Sequence, residues 1–102
     1  MTEQADRIAQ VVLAVPGVAA LHAGMFGEVG TYLPGRRVAG VRVGADAIDV
    51  HVSLVFDAPV RATAAAIRRT LQALTALPVN VTVEDVVPAA HAERPPGLGG
   101  LP

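Results

Sequence analysis

Cysteine is absent from this 102-residue chain, and so are lysine and tryptophan. Without cysteine there is no disulfide, no thiolate zinc centre and no thiol nucleophile. Aromatic residues are scarce, with Phe26, Tyr32 and Phe56 making up 3% of the chain. So few rings cannot build the row of stacking platforms on which single-stranded RNA or DNA lies. Neither sign of charge dominates, since 8 basic residues stand against 9 acidic ones for a net of -1. That balance argues against a nucleic-acid partner, because phosphate binding needs a basic surplus. Long apolar runs are missing too. The stretch from residue 10 to residue 27 carries no charge, but Pro16-Gly17 divides it and Gly24 and Gly27 loosen its end. Such a stretch does not span a bilayer as a helix. Glu3 and Asp6 put acid where a secretory leader needs base. The expectation is a cytoplasmic protein with no direct membrane span.

What the chain does have is apolar substance. Hydrophobic residues make up 52% and charged residues 17%, enough for one packed core in a chain of domain length. Ile8, Val11, Val12 and Val15 share one face of a helix predicted over residues 3–15, with Thr2 placed to cap it. After Pro16-Gly17, residues 18–22 read as a short strand. Residues 24–37 are glycine-rich, with a further short strand over residues 28–33. Residues 38–43 and 47–56 flank Gly44-Ala45-Asp46 as a hairpin. In its second strand Ile48, Val50, Val52, Leu54 and Phe56 alternate with Asp49, His51, Ser53, Val55 and Asp57, which predicts one buried face. Asp57 or Ala58 caps a second helix, Pro59 sits in its first turn, and Val60, Ala64, Ile67, Leu71 and Leu74 form its stripe. Val79, Val81 and Val83 mark a final strand, parallel to the long one if the helix is a crossover.

The order predicts an α+β domain over residues 1–87, a two-layer sandwich α-β-(β)-β-β-α-β. Two helices would pack on one face of a mostly antiparallel sheet of about four strands. Residues 88–102, with four prolines and three glycines, read as a disordered tail.

Three stretches then carry a resemblance: Val15-Pro16-Gly17-Val18 after the first helix, the alternating strand from Asp49 to Phe56 before a capped helix, and the run from Val79 to Val86. In this order, over residues 8–87, the chain resembles the alkaline shock protein family of bacterial envelope-stress proteins, in its actinobacterial form. Phe56-Asp57 stands where that family often has Tyr-Gly, and Ala76-Leu77-Pro78 where it often has Thr-Gly before the last strand. The resemblance implies a non-enzymatic cytoplasmic protein that self-assembles near the membrane, held there by a separate membrane-anchored partner. It brings no catalytic residue and no cofactor.

The residues themselves offer few sites. Asp49 and His51 share a strand face, two ligands of the three or four that zinc requires, while His22 stands alone and His91 lies in the tail. Ser53, the one serine, has His51 beside it, but no strained nucleophile turn surrounds it. Gly24-Met25-Phe26-Gly27 and Gly27-Glu28-Val29-Gly30 match the bare GxxG of KH domains. An alternative reading is therefore a KH-like nucleic-acid module using Arg36, Arg37 and the helix arginines Arg61, Arg68 and Arg69. The stronger signal is the apolar content of a long connector. Met25, Phe26, Tyr32 and Leu33, with Arg36 and Arg37, form a candidate interaction surface, either a docking loop or an extra edge strand. A homo-oligomer is the expected assembly.

Overall fold

A computed structural model describes residues 3–89. The elements are α1 (Gln4–Leu13), β1 (Val18–Leu21), β2 (Gly30–Leu33), β3 (Arg36–Ala39), β4 (Val41–Val43), β5 (Ile48–Val55), α2 (Val60–Gln72) and β6 (Val79–Val87). The fold is α+β, with two helices against a sheet whose antiparallel pairs outnumber its one parallel pair. One strand more is present than the sequence order predicts.

β5 organises everything else. Its period-two alternation sends Ile48, Val50, Val52 and Leu54 into the core, each 0% exposed, and turns Asp49, His51, Ser53 and Val55 to the other face. β6 runs parallel to β5 along the length of one edge. The other edge is shared: β4 pairs antiparallel with its first half and β1 with its second. The link from β5 through α2 to β6 is thus the crossover expected for parallel neighbours. Both helices cover the Ile48–Leu54 face. Ile8 and Val12 of α1 and Ile67 and Leu71 of α2 join those strand residues in one buried cluster.

Several local expectations are corrected. Residues 38–43 are not one strand: Gly40, at φ +80°, turns the chain so that β3 pairs with β2 in a separate two-stranded sheet while β4 joins the main one. The connector 24–37 therefore supplies neither a bare loop nor an edge of the main sheet, but a turn followed by the first strand of its own hairpin. Glu3, not Thr2, occupies the N-cap position of α1, and it caps with no side-chain bond. Thr2 lies outside the described residues. At α2 the N-cap position falls to Pro59, again with no side-chain cap, so Asp57 and Ala58 precede the helix without closing it. The α2 stripe is narrower than its spacing implies. Thr63, Ile67 and Leu71 are buried, whereas Val60 at the helix start is 45% exposed and Leu74, beyond its last residue, is 40% exposed. The predicted tail, apart from Pro88 and Ala89, lies outside the described residues.

Candidate functional site

The turn at residues 24–27 is tightly fastened at its base. The amide of Gly27 donates to the Gly24 carbonyl at 3.1 Å, and that of Val29 to the Ala23 carbonyl at 2.7 Å. His22 Nδ1 accepts from the Gly24 amide at 2.9 Å, and the Glu28 carboxylate accepts from the Phe26 amide at 3.1 Å. Arg37 Nη2 donates to the Gly27 carbonyl and Arg42 Nη2 to the Glu28 carbonyl. Val29, 2% exposed, anchors the segment below. On this base Met25 and Phe26 stand out into solvent, 80% and 87% exposed. A small domain gains nothing internally from holding two large apolar side chains in water on a fixed turn.

Tyr32 extends the same surface along β2, 79% exposed, with the Arg37 guanidinium carbon 5.3 Å from its ring centroid. That stacking is a cation–π contact. Arg37 lies across Gly30, where a Cβ would come within 2.5 Å of its Nε, so a side chain at position 30 would displace it. Leu33 departs from the expectation: it is half-buried against the core and offers little to a partner. Arg36 faces α1, where its guanidinium donates twice to the Asp6 carboxylate at 2.5 Å. That bond holds the Asp6 carboxyl below its ordinary pKa and raises Arg36 above its own. Of the six residues singled out from sequence, Met25, Phe26 and Tyr32 are presented outward, Arg36 and Arg37 fasten the hairpin, and Leu33 turns inward.

The helix-free face of the sheet carries the polar groups. Asn80 Nδ2 donates to Asp49 at 2.9 Å. A register shift after Val52 and Val83 leaves Glu84 opposite no residue of β5 in the strand register, and its carboxylate reaches to 2.6 Å from His51 Nδ1 on that strand. Asp85 lies 3.9 Å from His22 Nε2. These pairs stitch β1, β5 and β6 together, and among the described residues no group of three or more His, Asp or Glu side chains is arranged to hold a metal ion. Ser53 is buried beside His51 on this face. β5, which carries both residues, is paired with β1 and β4 along one edge and with β6 along the other.

The Gly24–Gly27 turn connects two strands, whereas a KH loop joins two helices. Arg61 and Arg69 are exposed on α2, and Arg68 Nε donates to the Val79 carbonyl at 3.4 Å. Of the arginines of the alternative reading, Arg37 bonds to that loop through the Gly27 carbonyl, Arg36 pairs with Asp6 on α1, and the other three belong to α2.

One feature escaped the sequence reading. Between the α1–β1 turn and the start of α2 lies an open groove of about 430 Å³ lined by Val15, Pro16, Gly17, Val55, Asp57, Ala58, Pro59, Ala62, Thr63 and Ala66. Small residues from three segments build it; Val15, Pro16 and Gly17 belong to the first of the stretches that carry the resemblance, but nothing in the sequence joins them to residues 55–66. Among the described residues no helix is long and apolar enough to cross a membrane. Comparison with protein families, with curated proteins and with solved structures finds no match to this chain.

Proposed function

We propose that this chain is a non-enzymatic assembly protein of the alkaline-shock type, which associates with its own copies through residues 24–37. It would act in the cytoplasm, held near the membrane by a membrane-anchored partner. The observation that carries the reading is the fixed turn presenting Met25 and Phe26 with Tyr32 beside it, all at least 79% exposed. Apolar side chains carried on a backbone already fastened by hydrogen bonds require less ordering on docking than those of a loose loop, which favours a protein contact. The sequence resemblance given above supports the envelope-stress context.

Sedimentation tests it. Phe26→Ser combined with Tyr32→Ser should shift the protein toward monomer while the circular dichroism stays as in the parent, because neither ring is in the core. A parent chain still monomeric at about 100 μM, where a contact of about -5.5 kcal/mol would be half formed, overturns the proposal.

A further inference from the structure

Met25 and Phe26 form a knob, and the groove between the α1–β1 turn and the start of α2 forms a hole. They lie at opposite ends of β1. Gly17, in the groove, immediately precedes β1, and the 24–27 turn follows its last residue, Leu21, by a few positions. Four residues of strand separate the two by about 13 Å before the flanking residues are added. Their hydrogen bonds confirm the polarity: the Val55 amide donates to the Gly17 carbonyl at one end, and the His22 amide to the His51 carbonyl at the other. A knob so fastened cannot reach the hole in its own chain.

We infer that the Met25–Phe26 knob of one copy docks in the Val15–Ala58–Ala62 groove of another, a head-to-tail contact. This inference rests on the self-association proposed above and names its second surface. The match is chemical as well as geometric. The groove walls are mainly apolar, with Val15, Val55, Ala58, Ala62 and Ala66 beside the one hydroxyl of Thr63, and the exposed Asp57 is the charged residue of the lining. Beside the knob stand Arg37 and Arg42, held to the Gly27 and Glu28 carbonyls, against the one Glu28 carboxylate on the Phe26 amide, which leaves the rim net positive. The acid at the hole and the bases at the knob are complementary across such a contact, which fixes orientation. Because the two surfaces differ, each pair keeps one knob and one hole unused, and unless the rotation closes a ring the assembly grows as an open chain.

The absence of cysteine makes the test direct. Met25→Cys leaves Phe26 as the anchor, and Arg61→Cys labels the exposed residue next in sequence to Ala62 of the groove. The two variants are mixed in equal amounts and treated with a short bis-maleimide. The dominant product should be the mixed M25C–R61C pair. Dominant M25C–M25C product would mean that knobs meet each other, which overturns the groove assignment while self-association stands. No cross-linked product, together with a monomeric parent in sedimentation, removes both. A second variant reads the hole alone: Ala62→Arg, on an exposed helix position, should weaken association at least about tenfold with Phe26 intact. Mixing it with the Phe26→Ser, Tyr32→Ser chain should restore a dimer and nothing larger. Association of Ala62→Arg at the parental concentration overturns the inference.

Discussion

Asp6 and Arg36 join the first helix to the β2–β3 turn across thirty positions of sequence, and they do so at the surface. The doubled hydrogen bond favours the ionised carboxyl, so Asp6 has a lower pKa in the folded chain than in the unfolded one. The sign of the linkage follows. Above the ordinary aspartate value of 3.8 the bond contributes its full stabilisation; as pH falls through that value and then through the depressed one, the contribution disappears. Asp6→Asn should therefore melt below the parent at pH 7, and the gap should narrow to nothing in strong acid. Thermal melts of both chains across that range check this, with 0.5 M salt reducing the gap at neutral pH, as surface pairs are screened. A gap that is the same at every pH would mean that Asn disturbs the helix start and that the ion pair contributes nothing.

At the level of elements, Gly40 shows where the sequence was legible and where it was not. β5 is plain in the sequence because apolar and polar residues alternate from Ile48 to Leu54, and α1 and α2 are plain because Ile8, Val12, Ile67 and Leu71 keep helical spacing. The division of residues 38–43 is not, since Val38, Val41 and Val43 read as one strand and the break depends on tertiary bonds. The Gly40 amide donates to the Val29 carbonyl and its carbonyl accepts from the His51 amide, both at 2.9 Å, so one residue stitches the hairpin to β5. A Cβ there would lie 2.9 Å from the His22 nitrogen and the Leu21 Cβ and 3.0 Å from the His51 oxygen, and the positive φ adds strain. Gly40→Val should cost at least about 3 kcal/mol in urea unfolding. A loss below about 1 kcal/mol would show that the hairpin can leave the sheet without disturbing β5. The candidate surface divides in the same way. Met25 and Phe26 were visible as apolar residues between glycines, whereas Leu33 turned inward because β2 pairs with β3 and packs against the core. The groove was invisible, because Val15, Val55 and Ala62 meet only once the β5–α2 connection has brought them together.

Taken as a whole, the molecule has a charge of -1, and the placement of its arginines bears on the nucleic-acid alternative. Arg36, Arg37, Arg42 and Arg68 each donate to a carboxylate or carbonyl within the chain. A guanidinium committed in this way offers fewer N–H groups to a phosphate. Arg61 and Arg69 remain exposed on α2, on a helix remote in sequence from the glycine turn, and Asp57 stands beside that helix's start. Electrostatic binding to a polyanion requires several cations acting together, because each phosphate contact releases one counterion and the affinities multiply. The chain should pass through heparin or an RNA column without delay at about 0.1 M salt, a concentration at which basic binders are retained and then released steeply. Its self-association should change little over the same salt range, since apolar burial supplies the contact and only the Arg37, Arg42 and Asp57 rim is screened. Retention that falls away with rising salt would restore the KH-like reading, and it would assign the knob to a nucleic-acid complex in place of a second copy of the chain.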